Sequence, residues 1–547
     1  MAPGNIEGGR APSSTQDEGN LNFEKGELFS LIFKGVHDLD LNYKDIGLFT
    51  RVKYWYDDEL ENGERPHGSA ANDYVPNEEL EDSDFVDLAQ SSGFELLDLY
   101  AYASTELGTM PVEFRVGKQV VSWGESLFIQ NSVNVINPVD VTALRKPGAE
   151  LKEALLPVGL VYTNIGVIPD LSMELFYQYD WEQSVLDGCG SYWSGADISG
   201  GGCDRLTLQR PAGPDSGSAF LSRARDEKPS DDGQWGIALR YFAEGLNATE
   251  FGAYYINYHS RTPILSFINS SSPGTPFLLL PEEDWTQYFL EYPEDIEVFA
   301  LTFAANIGSW AVSGELSHRP ELPLAINTVE GTGAAAAGTF APWSTMLDRA
   351  LAAGPRGIVH GYDEVEFTQL QVTFINFFDQ VLGAQRLSFA AEIGADWIDS
   401  LPDEREQRYG RAAVFGTGDF GTIQTPGGPV TCTTTGLPVS PNSQPQNCTS
   451  DGYITDFSWG YRIRASLDYS DAFWGINLTP SIAWSHDVKG YAPPPNFNED
   501  SKALSLGLSA EYLNTYKADL SYTSFFGGDY NISDDRDFLS LSFSVAF

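Results

Sequence analysis

Asp537-Phe-Leu-Ser-Leu-Ser-Phe-Ser-Val-Ala-Phe547 alternates apolar and small polar side chains with a period of two. Leu539, Leu541, Phe543, Val545 and Phe547 fall on one face, and Ser540, Ser542, Ser544 and Ala546 on the other. That is the side-chain period of a strand whose two faces meet different media. In a soluble sheet the apolar face would seek a core. In a transmembrane barrel it meets lipid, and a final outward Phe fits the periplasmic rim.

The same alternation recurs upstream in paired segments: 28–43 with 47–56, 94–107 with 112–123, 157–168 with 171–181, 234–244 with 250–261, 296–306 with 310–319, 365–377 with 386–398, 457–469 with 475–487, and 503–513 with 516–526. Short turns join the members of each pair, and long connections separate the pairs. Tight turns on one side and long loops on the other predict an all-β fold, a transmembrane antiparallel β-barrel of the outer-membrane type. The alternating segments number 17 with the terminal one. Single-chain bacterial barrels favour even counts, so an eighteenth, amino-terminal strand is expected to be missing from this sequence. Residues 1–20 are polar, carry no signal-peptide pattern, and are expected to belong to an extracellular loop. Residues 21–547 then form one barrel. Trp55, Tyr177, Tyr179, Trp181, Trp235, Trp397, Trp459 and Trp474 suit interfacial girdles at the strand ends.

Composition narrows the function classes. Lys and Arg total 32 against 77 Asp and Glu, a net charge of −45, which repels nucleic acid. The acidic clusters at 57–81 and 282–297 read as solvated loops. No run of 18 apolar residues occurs, which excludes a transmembrane helix but not a barrel, since each barrel crossing needs only about ten alternating residues. Cys189 with Cys203 and Cys432 with Cys448 form two local pairs inside Gly-rich loops, expected to be disulfides in an oxidising compartment. Each would be worth about 3 kcal/mol. No Cys-x-x-Cys spacing supports a metal, and none of the six His has a nucleophile or base nominated by spacing, so the chain is read as neither enzyme nor cofactor protein.

Residues 124–156 hold more apolar side chains than a solvated loop needs, among them Phe128, Ile129, Val133, Val135 and Ile136. They are expected to fold into the lumen as a constriction or plug; a rim-capping loop is the alternative. A helix is expected from Pro147, with Glu150 and Glu153 in its first turn and a stripe of Leu151, Leu155 and Leu156. Trp123 and Glu125 would anchor its departure from the wall. Glu315, Glu392 and Asp396 would serve its charged groups, Arg145 and Lys146. His259, Arg261, Glu315, Arg319, Glu392, Arg462 and Arg464 share lumenal strand faces. They either contact substrate or brace the wall as ion pairs.

Arg115-Val-Gly-Lys-Gln-Val-Val-Ser-Trp-Gly-Glu125, Asn134-Val-Ile-Asn-Pro-Val-Asp140 and Pro147-Gly-Ala-Glu-Leu-Lys-Glu-Ala-Leu-Leu-Pro157 resemble the signature of an uncharacterised proteobacterial outer-membrane family, domain of unknown function family 1302. Asn257-Tyr-His-Ser-Arg-Thr-Pro263, Ser313-Gly-Glu-Leu-Ser-His-Arg-Pro320 and Leu478-Thr-Pro-Ser-Ile-Ala-Trp-Ser-His-Asp-Val488 extend the likeness. On these motifs Trp123, Glu125, Asn134, Asn137, Pro138, Asp140, Arg145, Pro147 and Glu150 make the expected constriction. The resemblance implies a transport role for hydrophobic or amphipathic compounds, lipid-like or aromatic. It also implies a periplasmic lipoprotein-like partner and an envelope exporter. Outer-membrane lipids and lipopolysaccharide surround such a barrel, and its last strand resembles the signal read by the barrel assembly machinery. A structural or adhesive surface barrel and a general diffusion porin remain alternatives.

Overall fold

The computed structural model describes residues 19, 22–66, 77–146, 151–195, 198–202, 204–207, 220–425, 428–434 and 448–547. In it 17 antiparallel strands form one sheet. They are β1 (Ile32–Tyr43), β2 (Ile46–Asp57), β3 (Ser92–Leu107), β4 (Met110–Gln119), β5 (Val158–Ile168) and β6 (Leu171–Gln178). Next come β7 (Trp235–Ala243), β8 (Thr249–Tyr258), β9 (Ile296–Ile307), β10 (Trp310–Ala325), β11 (Tyr362–Asp379) and β12 (Arg386–Asp399). The last five are β13 (Phe457–Phe473), β14 (Ile476–Lys489), β15 (Lys502–Tyr512), β16 (Tyr516–Phe526) and β17 (Phe538–Val545). Each pairs with the next in chain order.

Tight turns at one end hold this meander in register. Gly108 and Gly308 take φ of 70° and 64° there, the left-handed backbone that two-residue hairpins require. β1 and β17 point the same way and lie side by side: Phe29 meets Phe538 with ring centroids 6.3 Å apart, and His37 meets Phe547 at 6.1 Å. Among the described residues no strand pairing joins them. Segment 1–20 lies outside the described residues except for Gly19.

Burial distinguishes the two faces of the wall. On β10 to β12, Leu316, Leu370 and Ile393 are exposed on the outside, whereas Glu315, Ser317, Gln369, Gln371, Thr373 and Glu392 are buried on the inside. This inverts a soluble sheet and matches a wall with lipid outside and a polar lumen. Tyr177, Tyr179, Trp235, Trp397 and Trp474 stand exposed near strand ends. Trp55 and Trp181 do not join that girdle. Trp55 is buried and donates its indole N–H to the Gln90 carbonyl (2.9 Å), and Trp181 packs into a core over the loop end.

The described acidic side chains at 57–81 and 282–297 are mostly exposed, as expected, yet the second cluster runs through a folded layer. Ile358–Val359, Ile264–Ile268, Gln287–Glu291, Phe220–Arg223 and Arg205–Thr207 pair in that order as a second sheet, drawn from three separate connections. Phe267, Phe277, Tyr288, Leu290, Trp343 and Met346 are buried together beneath it. Each such side chain is worth about 1.5–3 kcal/mol on burial, so these connections hold one another as a folded cap. Cys432 and Cys448 are bonded, with Cα atoms 5.7 Å apart. Cys189 is also disulfide-bonded; its expected partner Cys203 lies outside the described residues.

Candidate functional site

β4 ends at Gln119, four residues before the alternation in the sequence does, and the chain turns into the barrel. One side chain ties the departure to the return. Asn137 accepts from the Val121 N–H (2.9 Å) and donates to the carbonyls of Leu156 (2.8 Å) and Gln119 (3.3 Å). Irregular backbone at membrane depth is tolerated only where its polar groups find partners inside the protein. Trp123 starts the crossing, buried beside Phe176 (5.1 Å) and Tyr254 (5.8 Å), and donates to Glu174 (2.7 Å). The Glu125 N–H then donates to Glu315 (2.8 Å), while its carboxylate lies 3.6 Å from Arg240.

The turn that follows is held by a single carboxylate. Glu392, fully buried on β12, accepts from the backbone N–H groups of Leu127 (2.6 Å), Phe128 (3.3 Å) and Ile129 (2.7 Å), and from the Thr373 hydroxyl (2.9 Å). Gln369 donates to the Gln130 carbonyl (2.8 Å), and Arg319 to that of Ser132 (2.8 Å). Asn131 reaches the Pro494 carbonyl (3.0 Å). On the way back, Val133 and Ile136 are buried with Val121, Val158, Leu160 and Val298. The Ile136 carbonyl accepts from Arg261 (3.0 Å) and Gln178 (2.9 Å). Asp140 caps a short helix, Val141–Arg145, by accepting from the Ala143 N–H (3.0 Å).

Most of these latches lie on the β5 to β12 side; Lys53 on β2, 3.7 Å from Asp140, and the connection between β14 and β15, which meets Asn131 at Pro494 and packs Ala492 and Phe497 on Ile129, complete them. Across the lumen, the inward residues of β14 to β17, among them Ser481, Ala483, Ser505, Gly507, Ser521 and Ser542, are only half-buried. Their small side chains leave space where the opposite wall is filled. The segment therefore narrows the barrel mainly from one side. Among the described residues no group of His, Cys, Asp or Glu is arranged to hold a metal ion.

A family profile described as "Protein of unknown function (DUF1302)" matches residues 2–547. The chain belongs to this DUF1302 family. No curated protein matches it. Among solved structures, the DUF1302 chain is similar to a BenF-like porin from Pseudomonas fluorescens Pf-5, at 10% identity over 96% of this chain and 93% of that one, with a TM-score of 0.37. It is similar to Pseudomonas aeruginosa OpdK, crystallised with vanillate, at 8% identity over 94% and 92%, with a TM-score of 0.36. The outer-membrane channel DcaP of Acinetobacter baumannii follows at 9% identity over 88% and 84%, with a TM-score of 0.32. Likeness this distant carries no function across.

In this DUF1302 member several residues stand elsewhere than the sequence suggests. His259 and Arg261 lie just beyond the end of β8, both buried. Both ring nitrogens of His259 are occupied, by the Asp232 carbonyl (2.9 Å) and the Asp295 N–H (3.0 Å). Arg261 is buried against the inward segment. The expected start of the helix, Pro147 to Glu150, lies outside the described residues; within them a helix spans the four residues Leu151–Ala154. Leu156 packs with Trp55 and Leu97, and Glu153 pairs with Lys34 (2.7 Å) and Lys53 (3.7 Å). Arg145 does not reach Glu315, Glu392 or Asp396. It pairs with Asp187 and lies over Trp193 (5.2 Å). Burial holds the Asp187 carboxyl above the ordinary carboxylate range, against the pull of Arg145. Asp396 accepts from Asn496 (2.9 Å). Asn134 is exposed and Pro138 buried within the segment. Arg462 pairs with Asp487 (2.7 Å), and Arg464 faces the lumen, exposed. Gln369, Gln371 and Gln178 escaped the sequence reading, although strand parity alone puts them on the inner face.

Glu392→Ala is expected to free the turn while the rest of the segment stays put. It strips the acceptor from three backbone donors and one hydroxyl, each worth about 1–3 kcal/mol when left buried and unpaired. Hydrogen exchange reads this directly. Amides of 127–129 should lose protection, and those of 133–137, held by Arg261, Gln178 and Asn137, should keep it. Unchanged exchange at 127–129 would contradict the latch.

Proposed function

We propose that this protein is an outer-membrane channel that passes hydrophobic or amphipathic compounds, lipid-like or aromatic, through a lumen narrowed by residues 120–146. One observation carries the reading: the inward segment is fastened mainly along β5 to β12, with only the connection after β14 reaching it from the far side, and the small inward residues of β14 to β17 stay half-buried. A plug fastened all round would favour a purely structural barrel. Leu127 is half exposed at the turn of the segment, with Phe128 partly exposed beside it. The passage is thus bounded by apolar surface on one side and by hydroxyls on the other, unlike the polar eyelet of a general diffusion pore. In this reading Trp123, Glu125, Asn137 and Asp140 position the constriction, and a periplasmic lipoprotein-like partner and envelope exporter deliver or collect the cargo. The folded cap supports a second reading, a surface barrel that adheres through its loops, because ordered loops present a fixed face.

Reconstitution separates the two. Folded protein in planar bilayers should carry potassium chloride current, and proteoliposomes should take up amphipathic solutes faster than sugars of equal size. Folded protein that carries no current and admits no solute would rule out the channel and leave the adhesive reading.

A further inference from the structure

Resting on that channel reading, we propose that Arg464 is an anion-binding station in the lumen and that the preferred cargo is an organic anion with an apolar body, such as a medium-chain carboxylate. Guanidinium groups inside this wall otherwise have carboxylate partners. Arg51 pairs with Asp38 (2.7 Å), Arg115 with Glu113 (2.7 Å), Arg240 with Glu174 (2.9 Å), Arg386 with Asp468 (3.1 Å) and Arg462 with Asp487 (2.7 Å). Arg319 has none but is buried and donates to the inward segment. Among the described residues, Arg464 alone on the inner wall is an exposed arginine with neither an ion-pair partner nor a hydrogen bond.

Its surroundings explain why it stays free. Directly opposite it stand Ala390 on β12 and Ala483 on β14. Ser505, the next inward residue across the sheet, is engaged with Thr523 (2.9 Å). The nearest carboxylate by register is Glu392, opposite Arg462 and therefore diagonal to Arg464, and it is saturated by the inward segment. Two alanines thus flank an arginine in a chain of net charge −45, where a wall carboxylate would have been the ordinary neighbour. A guanidinium left open to the lumen presents a planar fork that fits a carboxylate in bidentate fashion.

The second half of the recognition lies beside it. Leu127, half exposed, donates its N–H to the same Glu392 that sits diagonal to Arg464. Diagonal neighbours on one face lie about 7–8 Å apart, within the length of a short alkyl or aromatic acid. Charge and apolar surface are thereby offered side by side at the narrowed level.

The test uses the full-length protein in planar bilayers, with octanoate, acetate and octylammonium as probes of a potassium chloride current. Octanoate should interrupt the wild-type current at lower concentration than acetate or octylammonium. Arg464→Gln should weaken the octanoate block about tenfold, the loss of about 1.4 kcal/mol, and Arg464→Lys should recover much of it. Leu127→Ser should shrink the preference for octanoate over acetate while leaving the preference for anions. Heat-modifiable migration of each variant reports that the barrel is intact. Equal block in wild type and Arg464→Gln, or stronger block by octylammonium, overturns the anion station while the channel stands. Absence of any current from folded protein overturns both.

Discussion

Replacing residues 122–135 with two glycines should raise single-channel conductance several-fold and erase discrimination between amphipathic and polar solutes. The ends to be joined are already neighbours, because Asn137 binds the Val121 N–H and the Leu156 carbonyl at once. The deletion exposes Glu315, Glu392 and Arg319, yet it exposes them to a water-filled lumen rather than to lipid. Hydration then replaces the lost partners, and the cost of burying an unpaired charge does not arise. A barrel of this strand number leaves an aqueous channel when nothing occupies it. The measurement is single-channel current in potassium chloride, with proteoliposome uptake of octanoate against a sugar. Wild-type conductance from the folded deletion variant would mean that the segment does not limit the passage.

Glu330→Ala should loosen the cap and leave the barrel intact. Glu330 is fully buried, 2.8 Å from the equally buried Arg408, and also accepts from the Thr345 N–H (2.9 Å) and the Thr417 hydroxyl. Removing one partner of such a pair strands the other charge in an apolar surround, at about 3–5 kcal/mol. The double change Glu330→Leu with Arg408→Met should be milder than either single loss, since no unpaired charge remains. Limited proteolysis reads the outcome: the single variant should be cut within 326–361 and 400–425, with heat-modifiable migration unchanged. A cap equally resistant in wild type and Glu330→Ala would show that the pair contributes little.

The wall was legible in the sequence because its cause is local. Leu387, Phe389, Ala391 and Ile393 alternate with Ser388, Ala390 and Glu392 whatever the neighbouring strands do, and lipid outside with a polar interior enforces that period along every crossing. Where a strand leaves the wall is not local. Val120 to Trp123 continue the alternating pattern past Gln119, and only the Asn137 amide and the Glu174 carboxylate, each distant in sequence, draw them inward. The pattern likewise runs on past Tyr258 to His259 and Arg261, which lie just beyond the end of β8. The cap could not be read at all. Its sheet pairs Ile264–Ile268 with Ile358–Val359 across a long stretch of sequence, and no periodicity announces such a partner. Glu315 and Glu392 were assigned to the inner face by parity, yet their partners proved to be backbone N–H groups rather than Arg145 or Lys146.

That last detail separates what fastens the turn from what a passing molecule meets. Glu392 and Gln369 hold residues 127–130 by their peptide groups alone, so they place no demand on the identity of Leu127 or Phe128. Those two side chains are interchangeable parts on a fixed mount. On the channel reading, either side chain can be exchanged to alter the surface the passage presents without re-solving how the segment is held.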